Sequence, residues 1–146
     1  MIVHGEAVGR WVCEKAGCHW DDTCQAVGWE RNGEIVAAVM YDNYTGPSIS
    51  MYSRIDCPTK LSRSWYRAIF DYPFNQLGVN KILGHVLSKN EKAIRLDEKF
   101  GYTLEAVIKD YSPDGDLLIY SMTRDKCRVL NSPAWASTIA KLQEAS

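Results

Sequence analysis

Lys81-Ile82-Leu83-Gly84-His85-Val86-Leu87, and after a short gap Asn90-Glu91-Lys92-Ala93-Ile94-Arg95-Leu96-Asp97-Glu98-Lys99-Phe100-Gly101-Tyr102, close a stretch that begins at Pro58 and organises the chain. The first run is short and mostly apolar, with polar residues following it, and reads as a buried strand. Asn90 is a good N-cap and Glu91 suits the positive end of a helix dipole, so 91–100 reads as a helix. Upstream, Leu61, Trp65, Ile69, Phe70, Phe74 and Leu77 put one apolar face on a helix over 61–77. Pro73 should loosen its last turn, and Gly78 sits where a helix end takes a left-handed residue. With a strand ending near Ile55, the order is strand, helix, strand, helix: a βαβ unit with its second crossover begun.

Working outward, Ile2-Val3 reads as a short strand and 6–15 as a helix stopped by Gly17. A polar loop follows, in which Asp21 and Asp22 are either a solvated turn or a face toward a cationic acceptor. Strands are expected over 25–31 and 34–44, joined by the hairpin signal Asn32-Gly33. Gly46-Pro47 turns the chain into a strand over 48–55, with Ile49, Met51 and Ser53 on one face and Ser50, Tyr52 and Arg54 on the other. After the βαβ stretch, 103–110 and 116–122 form a hairpin around Pro113-Asp114-Gly115, with Leu104, Ala106 and Ile108 on one side. Ser132-Pro133 starts a last helix carrying Trp135, Ile139 and Leu142. The expected fold is α/β in the α+β sense: a central mixed, mostly antiparallel sheet with helices on both faces.

A chain of 146 residues, 46% apolar and 24% charged, fits one globular domain. That domain is expected over 1–130, with 131–146 as a helix packed on it or on a second subunit, which leaves room for a homodimer. A net charge of −1 argues against a general nucleic-acid binder. No apolar run approaches the ~20 residues of a membrane span, and Met1 to Glu6 carries no leader pattern, so a cytoplasmic protein is expected. Five cysteines are an odd number, which excludes pairing all of them within one chain and suits reduced thiols. Cys13, Cys18, His19 and Cys24 lack the two-residue gap of zinc knuckles, so no metal site is expected.

The segment from Asn90 to Tyr102 resembles the one that closes the coenzyme A site in the GNAT superfamily of N-acetyltransferases, most closely the branch of the ribosomal-protein N-terminal acetyltransferases. The run Phe70-Asp71-Tyr72-Pro73-Phe74-Asn75-Gln76-Leu77-Gly78-Val79 resembles a small phage-encoded subset, and the resemblance spans roughly 26–130. It implies a GNAT-like fold, acetyl-CoA as cosubstrate and an amine acceptor on a protein or small molecule. The coenzyme's pyrophosphate then meets the residues before the 61–77 helix. The family has Gln/Arg-x-x-Gly-x-Gly/Ala there; this chain has Cys57, Lys60 and Ser62 at the three conserved places. Lys60, Leu61, Ser62 and Arg63 are the implied phosphate residues, with cations standing in for lost glycines. Asn90 is either a bare cap or a ligand of the pantetheine arm. Backbone groups of Tyr52, Ser53 and Arg54 line the thioester if their strand carries the family's bulge, and such N–H groups form an oxyanion site.

The acid–base pair departs from the family. Counting four residues from Ala93, to where many members have Tyr, gives Asp97. His85, Glu105 and Asp56 are candidates for the base, beside water. The acceptor is expected opposite the coenzyme, near Tyr41, Asp42, Asn43 and Tyr44. Three readings stand: an acetyl-CoA-dependent N-acetyltransferase, a GNAT-fold binding protein without turnover that modulates a partner, and a nucleic-acid-modifying acyltransferase, which the charge balance disfavours. The cysteine spacing makes a prediction of its own: protein purified without added metal carries less than stoichiometric zinc by elemental analysis.

Overall fold

The computed structural model describes residues 1–57 and 61–132. In chain order the elements are β1 (Ile2–His4), α1 (Glu6–Ala16), β2 (Gln25–Arg31), β3 (Glu34–Asp42), β4 (Ser48–Ile55), α2 (Arg63–Asp71), β5 (Lys81–Leu87), α3 (Glu91–Phe100), β6 (Thr103–Ser112), β7 (Gly115–Thr123) and α4 (Arg128–Asn131). The strands make one seven-stranded sheet in the order β1-β2-β3-β4-β5-β7-β6. β4 and β5 pair in parallel; the other neighbours are antiparallel. The mixed, mostly antiparallel sheet is therefore as expected. Of the last helix, expected over 131–146 with Ser132 as its cap, Asn131 instead ends α4 and Ser132 is extended, and the remainder lies outside the described residues.

Each face has its own core. α1 places Val8 and Val12 on Ala26, Ala38 and Met40 of one face. The other face carries α2, α3 and α4, with Trp65, Tyr66, Ile69, Phe70, Phe100 and Val129 packed on Val27, Val39, Tyr41 and Ile82. The four buried side chains of α2 alone contribute on the order of 10 kcal/mol of transfer free energy, before conformational entropy is subtracted. Phe70 and Phe100 meet edge-on at 5.1 Å, which joins α2 to the end of α3. The buried Trp65 indole donates to the Val27 carbonyl at 3.2 Å.

Pro73 acts as expected, and its effect is specific. The chain from Tyr72 to Gln76 widens into a π-type turn, with the Leu77 N–H bonding to the Tyr72 carbonyl at 2.9 Å. Pro73 has no N–H to give to the Ile69 carbonyl four residues back. The Tyr41 hydroxyl, from the sheet below, donates to that carbonyl instead at 2.5 Å. The expected 61–77 helix is thus an α-helix that starts two residues later and a widened turn. Its true N-cap is Ser62, whose Oγ accepts from the N–H groups of Ser64 and Trp65.

The hairpin at the far edge departs from the alternation read in the sequence. Leu104 pairs with Tyr120 but Ala106 pairs with Ile119, so Glu105 is a bulge. Leu104 and Val107 therefore share one face, and Ala106 and Ile108 the other. β3 stops at Asp42 rather than residue 44, because Asn43 takes a left-handed conformation at φ 52°.

Gly101 ends α3 at φ 118°, and its N–H bonds back to the carbonyls of Asp97 and Glu98. A methyl group added there would lie 2.0 Å from the Lys126 carbonyl oxygen. Left-handed strain costs about 1–2 kcal/mol and forced overpacking about 1–3 kcal/mol more. Gly101→Ala should accordingly lower unfolding stability by about 2–4 kcal/mol in a denaturant titration, whereas Gly33→Ala, left-handed but facing open space, should cost only the strain.

Candidate functional site

β4 and β5 stay together for three residue pairs, Ser48 with Lys81, Ile49 with Ile82 and Ser50 with Leu83. Beyond Ser50, β4 continues along β3 to Ile55, and beyond Leu83, β5 continues along β7 to Leu87. The two strands part, and alternate N–H and C=O groups on their inner edges face an open cleft. A cavity of about 620 Å³ fills it, lined by residues 51–56 of β4 and its end, Gly84 to Leu87 of β5, Asn90, Ala93 and Asp97 of α3 and its cap, and Lys15 and Ala16 at the end of α1. Two strand edges with unpaired amides suit a linear ligand that itself carries amides, as a pantetheine arm does.

Of the residues read from the sequence, Tyr52, Ser53, Arg54, His85, Asn90 and Asp97 come together around this cavity. Asp97 lies beneath the cleft. A methyl group on Gly84 would stand 3.8 Å from its Oδ2 and 3.7 Å from the Tyr102 ring, so the bare glycine keeps strand, acid and ring in contact distance. Burial, with the neighbouring Glu98 charge adding to it, pushes the Asp97 carboxyl up to about 7. It is therefore half protonated near neutrality, the state a proton donor needs. Asn90 serves as a cap: its Oδ1 accepts from the Ala93 N–H at 3.2 Å, and the residue lines the cavity.

On the α1 side of the cleft, the Tyr52 and His85 rings lie 5.6 Å apart, tilted by 33°. Burial, followed by the Asp42 charge, pushes the Tyr52 phenol up to about 12. The Arg54 side chain turns away to α1. Its guanidinium stands 3.8 Å over the Trp11 ring, donates to the Trp11 carbonyl at 2.7 Å and pairs with Glu14 at 3.1 Å and Asp56 at 2.6 Å. Arg54 thereby clamps α1 to the end of β4, and only its backbone is left to the cleft. Asp56 is held by the same pair, its carboxyl kept below the usual carboxylate range chiefly by the Arg54 hydrogen bond.

Other candidates fall elsewhere. Glu105 forms an ion pair with Lys81 at 2.6 Å, beside the bulge of β6, and does not line the cavity. The Leu61 side chain is buried in the core, and the Ser62 hydroxyl is used as a cap. Lys60 lies outside the described residues. Tyr41 points into the opposite core. β4 carries no bulge: its register with β3 is unbroken from Asp42–Ser50 to Ala37–Ile55. Thus the cleft arises from strand divergence alone. Asp21 caps its own turn, accepting from the Thr23 N–H at 2.7 Å. Cys13 and Cys18, read as separate thiols, stand with their Sγ atoms 2.9 Å apart at the end of α1. Gly84 and Tyr102 had not been read as site residues; a glycine inside an apolar strand was the available signal for the first.

No protein-family model matches the chain, and no curated protein does. Solved structures do. The spermidine/spermine N-acetyltransferase SpeG from Vibrio cholerae superposes with a TM-score of 0.69 at 18% identity, over 90% of this chain and 95% of that one. The N-acetyltransferase PseH from Campylobacter jejuni, in complex with acetyl coenzyme A, superposes at 0.56 with 19% identity, over 71% of this chain and 70% of that one. The fold is the one seen in GNAT acetyltransferases.

The raised Asp97 carboxyl has a stability signature. Its folded value, about 7, exceeds the ordinary carboxylate value of 3.8, so the folded protein binds the extra proton between those limits. Stability from this group is full below about pH 4 and falls as pH rises to about 7, by at most ~1.4 kcal/mol per pH unit. Asp97→Asn should flatten that slope and leave the variant more stable than wild type at pH 8, as read by urea midpoints across the range.

Proposed function

We propose that this chain is an acetyl-CoA-dependent N-acetyltransferase, with acetyl-CoA as cosubstrate and an amine as acceptor. The observation that carries this reading is the cleft between β4 and β5, with a carboxyl of pKa about 7 beneath it. The backbone of Tyr52 to Arg54 would hold the pantetheine and thioester along the free edge of β4. An N–H directed at the thioester oxygen would stabilise the tetrahedral intermediate, each such donor being worth about 3 kcal/mol. Asp97 would give its proton to the departing thiolate, and His85, on the opposite side, would take one from the acceptor nitrogen. Glu105, tied to Lys81 outside the cavity, has no part in this arrangement.

The phosphates are assigned to the segment leading into α2, where Lys60 and Ser62 occupy the glycine positions of the GNAT pattern and Arg63 follows at once. Ser62 spends its hydroxyl on the cap of α2, so cations carry more of the binding. This departure favours a second reading, a GNAT-fold protein that binds a partner without turnover. For the acceptor, SpeG is named for spermidine and spermine, while the segment from Asn90 to Tyr102 resembles the ribosomal-protein branch and its phage-encoded relatives. Both a small polyamine and a protein α-amine therefore belong in the acceptor panel; net charge gives no support to a nucleic acid. No helix among the described residues is long and apolar enough to cross a membrane. The odd set of thiols suits a reducing compartment, so the cytoplasm is part of the proposal, as is a homodimer through residues 131–146.

Calorimetric titration of coenzyme A at low and at moderate salt tests the coenzyme site. Wild type should bind, with affinity falling as salt rises, because exposed charges are screened over about 8 Å at physiological ionic strength. Lys60→Ala with Arg63→Ala should lose about 1.5–3 kcal/mol per charged hydrogen bond, less at high salt. Asn90→Ala should lose affinity with little salt dependence. Absence of heat and of thermal shift in wild type would overturn the coenzyme assignment. Binding without thiol release on spermidine, a lysine peptide or a free-N-terminus peptide would favour the non-enzymatic reading.

A further inference from the structure

Asp42 stands at the end of β3, opposite Ser50 of β4. Ser50 pairs on its other side with Leu83 of β5. Two residues further along each strand are Tyr52 and His85, on the same face of the sheet as Asp42. Strand register alone thus gathers an acid, a phenol and an imidazole at the place where β4 and β5 part. The two rings are 5.6 Å apart and both line the cavity. Asp42 lies behind them, and its Oδ1 is buried without a hydrogen-bond partner. Buried carboxylate oxygens are nearly always partnered, so an orphan needs an explanation.

The groups around Asp42 supply one. The loop between α1 and β2 turns Asp21, Cys18 and Cys24 toward it. β4 contributes the Tyr52 phenol and β5 contributes His85, both near enough to act on its carboxyl. Of these, His85 is the one that becomes a cation when it binds a proton. Burial raises the Asp42 carboxyl and His85 works against that rise.

We propose that Asp42 is a positioning residue for acetyl transfer: through Tyr52 it sets the orientation of His85, and its free carboxylate oxygen offsets the charge His85 gains from the acceptor. This rests on the N-acetyltransferase reading. An alkylammonium acceptor must lose a proton before its nitrogen can attack. In the transfer, that first proton goes to His85 and from there to solvent. The nitrogen lone pair forms the N–C bond, the C–S bond breaks, and the thiolate takes a proton from Asp97. The nitrogen's second proton leaves as the amide forms and restores Asp97. An imidazolium formed in a partly buried cleft is unfavourable without an anion close by, the same logic that places an aspartate behind a catalytic histidine in serine proteases. Asp42 is that anion, and the acceptor class is an amine that arrives protonated.

The test compares the full chain with Asp42→Asn, an isosteric change that removes the charge and keeps the shape. The acceptors are an alkylamine (spermidine, or whichever amine of the panel above reacts) and acetohydrazide, whose nitrogen is already neutral at pH 7. With the alkylamine, Asp42→Asn should lower kcat by about tenfold to a hundredfold, the scale of lost proton-transfer assistance, with coenzyme A affinity unchanged and melting temperature not lowered. With acetohydrazide, and in a His85→Gln background, the same substitution should cost less than about threefold. Asp42→Glu should restore part of the loss. An equal loss with both acceptors, or an undiminished loss without His85, overturns the assignment, and so does Asp42→Asn as active as wild type. Coenzyme A calorimetry on the same preparations separates this from the parent reading. If wild type binds no coenzyme A or acetylates neither amine, the enzyme reading fails and takes Asp42's role with it; if both succeed, only the Asp42 result is at stake.

Discussion

Three residue pairs hold β4 and β5 together, and the cleft of the candidate site depends on their ending at Ser50 and Leu83. The divergence has a simple cause. Each strand has a longer antiparallel partner on its other side: six pairs tie β4 to β3 and seven tie β5 to β7. Antiparallel pairing is slightly the stronger per residue, and each partner carries its strand along its own twist. The parallel contact is the one that yields. On one side the gap is propped by α3, whose Ala93 and Asp97 reach the cavity, and by the Tyr102 ring behind Gly84. On the other, Arg54 fastens the end of β4 to Trp11 and Glu14 of α1. An exposed ion pair of this kind is worth under ~1 kcal/mol, but the arginine is largely covered and stacked on an indole, a geometry in which both contacts hold better.

The order of elements was legible because local signals agreed with one another. β2, β4, β5 and α3 carry their own boundaries: alternation, an N-cap at Asn90 and a left-handed glycine at 101. Pro73 was legible in kind but not in consequence. A missing N–H predicts a loosened turn, yet nothing local tells that Tyr41, more than thirty residues away, fills the vacated acceptor. β6 was misread for the same reason. A bulge at Glu105 leaves the apolar pattern intact in the sequence while turning each following side chain over, since a shift of one residue exchanges faces.

The site divides along the same line. Asp97 was reached by counting from Ala93, a distance along one helix that the chain itself preserves. Its elevated pKa was not reachable that way, because burial is set by Gly84 and Tyr102, which come from other elements. Arg54 and Ser62 show the converse. Each stands at a place that the resemblance marks for coenzyme, but the side chain is committed to holding the fold, one as a clamp and the other as a cap. What remains for a ligand at those places is backbone, and backbone donors are indifferent to residue type. That is why a chain without the usual glycines can still present the cleft.

Two aspartates therefore stand on opposite faces of the sheet near the cleft, Asp97 lining the cavity and Asp42 behind the Tyr52 and His85 rings. Asp97 lies among apolar and aromatic neighbours, with a like charge beside it, so its neutral form is stabilised. Asp42 is also raised by burial, but it has a phenol and an imidazole within reach, groups that favour a carboxylate. Both carboxyls are raised by burial, and the charges beside them act in opposite senses, Glu98 adding to the rise of Asp97 and His85 opposing that of Asp42. The sheet provides that separation directly. Side chains alternate across it, so residues at the mouth of one cleft fall on two faces, and β5 alone presents Gly84 toward Asp97 and His85 toward Tyr52. A ligand lying in the plane of the sheet, between β4 and β5, would then be flanked by Asp97 on one face and His85 on the other. In that placement strand register sets His85, and α3 supplies Asp97.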